Sequence, residues 1–262
     1  MTRSGVSWCV GPDGSPGFSW NVTGGCSPVS AGCAHCWASR LASTRLAHLP
    51  EYAGLAKDGT WLGHARFFAD RLAEPLWRKT PSGICVSLMG DLLHQSLDVH
   101  HVRDIFGVMS SCPQHRFFVL TKRAKRMREE LSDPEMLGES DIGGLGWPLP
   151  NVWLGVSIED RAALPRVDDL RATPAAVRYL SIEPLLEDLG HIDLTGISWV
   201  IVGCESGPGA RPMHTDWVRS LLYQCRREDV AFFYKQQFVN GRLDHDPTLD
   251  GRTWRQMPGR KT

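Results

Sequence analysis

Six short apolar runs recur along the chain, and they limit the folds open to it more than any other feature. They occupy residues 84–88, 117–120, 152–156, 177–182, 199–203 and 230–234, with a less apolar seventh at 18–22. Continuous runs, rather than alternating ones, suit strands covered on both faces, as in a parallel sheet. Most of the intervening segments carry helical periodicity. Ala38, Leu41, Ala42 and Leu46 form one stripe; Val99, Val102, Ile105, Phe106 and Met109 form a second. Trp217, Leu221, Leu222 and Cys225 form a third, entered through Thr215 and Asp216, either of which suits a helix cap. Strand–helix alternation of this kind predicts a parallel α/β fold, as a partial or complete barrel or an open sheet. Gly- and Pro-rich residues 137–150 and most of 240–262 read as loop.

Each run ends in polar residues. The first leads into Met89-Gly90-Asp91, the second into Thr121-Lys122-Arg123 and the third into Ser157-Ile158-Glu159-Asp160. Ser181-Ile182 leads into Glu183-Pro184, Gly203 into Cys204-Glu205-Ser206, and Tyr234 into Lys235-Gln236-Gln237. The carboxyl edge of a parallel α/β sheet is where ligands bind, so these groups are expected around one cavity. The plainer reading is that strands end in polar residues because loops are solvated.

The same cavity is the expected place for the chain's cysteine loop. Cys26, Cys33 and Cys36 stand with six residues in the first gap and two in the second, just after the run at 18–22. Gly25, Pro28 and Gly32 keep the loop irregular, and helical sequence begins at Trp37. Thiolates are soft metal ligands, and a helix start favours their ionised form. Two fillings remain open. One is a tetrahedral zinc ion completed by His35 or a distant cysteine; the other is an iron–sulfur cubane with one iron left for a small molecule.

Composition narrows the setting. The 262 residues carry 29 basic and 29 acidic side chains, so no global positive field holds nucleic acid. No apolar run approaches a membrane span and the first residues lack a signal-peptide profile, which predicts a cytoplasmic chain without a membrane partner. In a reducing compartment the eight cysteines do not suggest a disulfide framework. Cys85, Cys112 and Cys225 lie in apolar patterns and are expected to be core residues.

Residues 18–26 with Cys33 and Cys36 resemble the opening of a phage and prophage family of radical S-adenosylmethionine type, often described by its three-cysteine motif. The resemblance continues through residues 88–94, 119–123, 151–157, 180–185 and 202–214, and so covers nearly the whole chain in order. Two departures stand out. The first cysteine gap is six residues where the commonest radical-enzyme pattern has three, and Cys204 stands where many members have glycine.

The resemblance implies a partial β/α barrel over residues 1–239, with 240–262 as a C-terminal loop. It implies a 4Fe-4S cluster held by Cys26, Cys33 and Cys36, with S-adenosyl-L-methionine as the second cofactor and an external electron donor. The cofactor supplies the difficult step, and the protein positions the substrate and excludes water and oxidants. Trp37 is expected near the adenine or, alternatively, packed under the first helix. Met89, Gly90 and Asp91 are expected at the methionyl amine: Gly90 by close backbone approach, Asp91 by accepting from the ammonium or, alternatively, by capping a helix. Ser157, Glu159, Ser181 and Glu183 are expected around the ribose and sulfonium. Lys122, Glu183, Glu205 and Lys235 are the candidate catalytic groups; Arg123, Arg211 and His214 are candidates for binding substrate. The basic run at 122–128 reads as a solvated helix face or, with Arg211 and Arg219, as a phosphate-binding patch. The second reading, with the phage association, suggests a nucleic-acid base or nucleotide as substrate. Alternatives are a small molecule or peptide handled by the same cofactors, or a non-catalytic metal-stabilised nucleic-acid-binding module. A co-encoded protein partner is also expected among the possibilities.

Overall fold

A computed structural model of the chain describes residues 1–133 and 146–259. The chain opens with β1 (Thr2–Arg3) and β2 (Phe18–Trp20). A cap follows, made of β3 (Thr23–Cys26), α1 (Trp37–Ser43), β4 (Ala56–Lys57), β5 (Thr60–Trp61) and β6 (His64–Phe67). Then come β7 (Gly83–Val86), α2 (Val99–Ser110), β8 (Arg116–Thr121), α3 (Ala124–Leu131) and β9 (Val152–Ser157). After α4 (Pro165–Ala172), β10 (Val177–Ile182) and β11 (Trp199–Gly203) stand side by side. The chain closes with α5 (Thr215–Arg227), β12 (Ala231–Val239), β13 (Arg242–Asp244) and the small pair β14 (Thr248–Leu249) and β15 (Arg252–Thr253).

The main sheet has nine strands in the order β1-β2-β7-β8-β9-β10-β11-β12-β13. From β2 to β12 every pairing is parallel, and the edge strands β1 and β13 run antiparallel. All seven apolar runs form strands of this sheet. Every residue of β7, β9 and β11 is buried, because helices cover one face and aromatic side chains fill the other.

The two faces have different cores. Behind the sheet, Val102, Ile105 and Phe106 of α2, Met127 of α3, Leu170 of α4 and Leu221 of α5 pack on Leu154, Leu180 and Val200. On the other face Cys85, Phe118, Trp153, Tyr179, Trp199 and Phe233, one from each of six consecutive strands, cluster around Trp8. Phe118 and Trp199 have ring centroids 6.3 Å apart although their strands are three steps apart in the sheet. In a flat sheet three steps span about 14 Å, so this face is concave. Among the described residues β1 and β13 do not pair with each other, and the sheet is an open one.

Local chemistry accounts for the elements. Asp98 caps α2 by accepting from the His100 amide at 2.9 Å. For α5 the expected cap at Thr215 or Asp216 is displaced: His214 is the capping residue, with no side-chain bond, because Asp216 is held inside the first turn by Arg219. The expected loop from 240 is broken by β13, β14 and β15, since Leu249, Trp254 and Met257 bury their side chains against the sheet. Of the loop expected at 137–150, residues 137–145 lie outside the described residues, and 146–150 have no helix or strand. Cys85, Cys112 and Cys225 are at most 1% exposed. Among the described residues no helix is long and apolar enough to cross a membrane.

Candidate functional site at the carboxyl edge of the sheet

The cysteine loop leaves β3, which pairs with β6 rather than with the main sheet. The Gly25 amide donates to the Met89 carbonyl at 3.0 Å, and a Gly25–Gly90 bridge ties the loop's root to the end of β7. A Cβ on Gly90 would stand 2.7 Å from the Gly25 carbonyl oxygen. The glycine is therefore required by the passing backbone of β3. Met89 also differs from expectation: its side chain is buried with Ala38, Tyr52, Leu55, Trp61 and Phe68 under α1 and does not line the cavity. Cys33 ends a 3₁₀ turn, Ala31–Cys33, and Cys36 caps α1. Cys26, Cys33 and Cys36 all line one cavity of about 210 Å³.

Each of the six strand ends sends polar groups into that cavity: Asp91, Lys122, Ser157, Ser181 with Glu183, Glu205 and Lys235. Three ionic moorings join these ends to the cysteine loop or to one another. In the first, Asp91 accepts from Thr121 Oγ1 at 2.7 Å, from the Leu93 amide at 3.0 Å and from Arg123 Nη1 at 2.8 Å. Arg123 in turn donates to Cys26 Sγ at 3.4 Å and to Ser27 Oγ at 2.8 Å. Asp91 thus spends its acceptor capacity inside the protein, and Arg123 serves the loop instead of lining the cavity. Ser27 is also held by His94, whose Nε2 lies 2.9 Å from Ser27 Oγ. Burial first, then Arg123, pulls the His94 imidazole down to about 4.

The second mooring is centred on Glu159. Its side chain is fully buried behind the cysteine loop, paired with Lys122 and with Arg166 at 2.8 Å, and accepting from Ser30 Oγ at 2.8 Å. A Cβ on Gly32 would come within 2.5 Å of Glu159 Cγ, so the turn can pack there only as glycine. Glu159 was expected to face the ribose, but it does not line the cavity. In the third mooring Arg211 grips Glu205 through Nε at 3.0 Å and Nη2 at 2.5 Å, while reaching the Ala31 carbonyl at 3.0 Å. His35 Nδ1 lies 2.9 Å from the same carboxylate. Burial opposes ionisation of Glu205, but the bonds from Arg211 and His35 outweigh it and hold the carboxyl at about 2.

The thiols do not share one environment. Burial and then the Asp91 charge push Cys26 up to about 11, against the pull of Arg123. Burial also acts on Cys33, but Lys122 and the backbone amides of the turn prevail and its pKa falls. The expectation that a helix start favours the ionised form does not hold at Cys26, the last residue of β3, where burial and Asp91 prevail.

Of the remaining candidates, Glu183 and Lys235 pair with each other on the cavity wall. Trp37 lines the rim and is 48% exposed, so it is not packed under the first helix. His214 packs against Trp217, the rings tilted and their centroids 4.5 Å apart, and neither it nor Arg211 lines the cavity. The basic run belongs largely to α3. Arg126 pairs with Glu130 and donates to the Leu93 and Leu97 carbonyls ahead of α2, Arg128 pairs with Asp169, and the exposed Lys125 lies 3.7 Å from Glu129. Arg219 is likewise bound to Asp216 and Asp250. The run is thus a solvated face at Lys125, 74% exposed, while Arg126 and Arg128 are taken up by ion pairs. Trp8 and Ser87 line the cavity without having been singled out for it, and Cys204 lines it as a strand-end residue. Ser87 was visible as the polar residue interrupting the run at 84–88, whereas nothing periodic marks Trp8.

The comparison with curated proteins found no match. Two solved structures are similar to this chain. A cysteine-to-serine mutant of spore photoproduct lyase aligns with a TM-score of 0.41 and 10% identity, over 92% of this chain and 69% of that one. A double mutant of spore photoproduct lyase with bound AdoMet and dinucleoside spore photoproduct aligns with a TM-score of 0.40 and 12% identity, over 88% of this chain and 67% of that one. The family model described as a protein of unknown function, DUF5131, matches residues 4–258. That span takes in the cysteine loop and every strand end around the cavity, and the chain belongs to the DUF5131 family.

Proposed function

We propose that the protein is a radical S-adenosylmethionine enzyme whose reaction chamber is the cavity at the carboxyl edge of the sheet. The observation that carries this reading is that Cys26, Cys33 and Cys36 share one cavity with the polar ends of six consecutive parallel strands. The donor set fits a 4Fe-4S cluster. Three thiols lining one cavity match the thiolate donors an iron–sulfur cubane takes, with one corner left open. When bound, the cluster and S-adenosylmethionine supply reductive cleavage and hydrogen-atom abstraction, with the electron coming from an external donor.

The chain's own groups have distinct tasks in this reading. Arg123, donating to Cys26 Sγ, and Lys122, beside Cys33, offset the negative charge of the ligating sulfurs. Asp91 orients Arg123 instead of binding an ammonium directly. Ser157, Ser181 and Glu183 offer hydroxyls and a carboxylate to the nucleoside part of the cofactor, with Trp37 at the rim. Lys235, Glu205 and the Cys204 thiol line the part of the chamber left for substrate.

The test is anaerobic reconstitution, followed by iron and sulfide analysis and an assay for 5′-deoxyadenosine and methionine after reduction. Cys33→Ala is expected to lose both cluster and cleavage. Retention of either overturns the ligand assignment. Comparing turnover with and without DNA, RNA or nucleotides tests whether the substrate is a nucleic-acid base, and an unchanged rate with all of them rejects that class.

A further inference from the structure

Two hydrogen-bonding groups in the cavity stand apart from the rest. The Trp8 indole Nε1 and the Ser87 hydroxyl have no hydrogen-bond partner among the described residues. Trp8 is 3% exposed and Ser87 4% exposed, and both line the cavity. A buried donor without a partner is costly, and native proteins rarely keep one without a use.

Both residues are held firmly. Trp8 sits among Phe118, Tyr179 and Trp199, with ring centroids 5.6, 5.9 and 6.0 Å away, so its indole is fixed at the base of the concave face. Ser87 has φ +54°, a left-handed conformation that costs a non-glycine residue free energy and is concentrated at functional sites. The turn it makes sets the hydroxyl at the junction between β7 and the Gly90 crossing.

The charges of the cavity, in contrast, are already matched. Its acidic and basic lining side chains are Asp91, Lys122, Glu183, Glu205, Lys235 and His35, the last also bound to Glu205. Asp91 is bound by Arg123, Lys122 by Glu159, Glu205 by Arg211, and Glu183 and Lys235 bind each other. No unspent cation faces an anion there, and a buried unpaired charge is strongly disfavoured. Val6, Leu88 and Leu120 supply apolar wall beside the two donors.

We propose that Trp8 and Ser87 form a subsite that binds an uncharged, carbonyl-bearing group of the substrate, with the indole N–H and the hydroxyl donating to its acceptor atoms. This deepens the reading of the cavity as a reaction chamber and rests on it, but it does not depend on the cluster. The group is the shared chemistry of a nucleobase and of a peptide amide. For a phosphate or carboxylate, the lysines lining the cavity are already paired.

The experiment titrates the full chain, without reductant or S-adenosylmethionine, with uridine, N-acetylglycinamide and inorganic phosphate. The readout is the indole ¹H–¹⁵N resonance of Trp8, assigned with Trp8→Phe or by backbone assignment. Uridine or N-acetylglycinamide is expected to shift this resonance saturably, the responding probe identifying the source of the carbonyl, while phosphate leaves it in place. Ser87→Gly keeps the test open if Trp8→Phe fails to fold. It should weaken binding roughly 5- to 10-fold through loss of one hydrogen bond, without lowering the melting temperature, because glycine accepts the left-handed turn. A resonance that neither carbonyl probe moves, one that phosphate moves, or an unchanged affinity in Ser87→Gly overturns the proposal. Because no cofactor is present, these outcomes are separate from the cleavage assay above.

Discussion

Replacing Glu159 by Gln tests the mooring behind the cysteine loop. The carboxylate is fully buried, and its partners Lys122 and Arg166 are only 22% and 14% exposed. The amide keeps the shape and its oxygen can still accept from Ser30, but its NH2 then meets the Arg166 donor, and two cations are left facing a neutral group. Stranding a buried charge costs about 3–5 kcal/mol. At about 2–4 °C per kcal/mol for a chain of this size, the melting temperature should fall by roughly 6–20 °C. Burial already draws the Lys122 ammonium down to about 8, so this lysine is the cation least able to stay charged alone. Adding Lys122→Met to Glu159→Gln should therefore restore part of the loss, a non-additivity readable in a double-mutant cycle by calorimetry and urea unfolding. A fall of less than 2 °C in the single variant, or strict additivity in the pair, would refute the reasoning.

Three other expectations follow from close contacts and from one titration. Gly90→Ala forces a Cβ to 2.7 Å from the Gly25 carbonyl, and about 1–3 kcal/mol of destabilisation in urea is expected; a neutral result would show that β3 can move away. Gly155→Ala places a Cβ 2.3 Å from the Tyr179 ring on the paired strand, so soluble yield and melting temperature should both fall, and a Tyr179→Leu background should rescue them. Glu205 is held at about 2 against an ordinary 4.5, so as pH falls through that window the unfolded chain takes up the proton first and stability is lost. Glu205→Gln should flatten this acid limb of the urea midpoint, and an unchanged slope would mean that Arg211 does not hold the carboxylate.

The parallel sheet was legible because its strands are buried on both faces. The runs at 177–182 and 199–203 become β10 and β11 without a shift at either end. The polar strand ends were legible for the same reason. Other elements left no such mark. Thr23-Gly24-Gly25-Cys26 has no apolar pattern, and its pairing with β6 is fixed by backbone approach that only glycines allow. In α4 Val167 and Leu170 are the buried residues, too few for a stripe, so the helix that carries Arg166 to Glu159 went unseen. Glu159 and Glu183 look alike in sequence as acids after a strand. Glu183 lines the chamber while Glu159 turns behind the loop, where it meets Gly32, distant in the chain, and Arg166 on the following helix.

The tethering of the cysteine loop has a consequence for how the protein reports its own loading. The loop is roped through side chains to the tips of β8, β9 and β11, so its order and theirs form one cooperative unit. Whatever grips the sulfurs must also slow the fraying of those tips, by an amount set by its binding free energy. Amide exchange at Thr121, Ser157 and Gly203 then becomes a remote gauge of occupancy, readable at positions that carry no sulfur ligand.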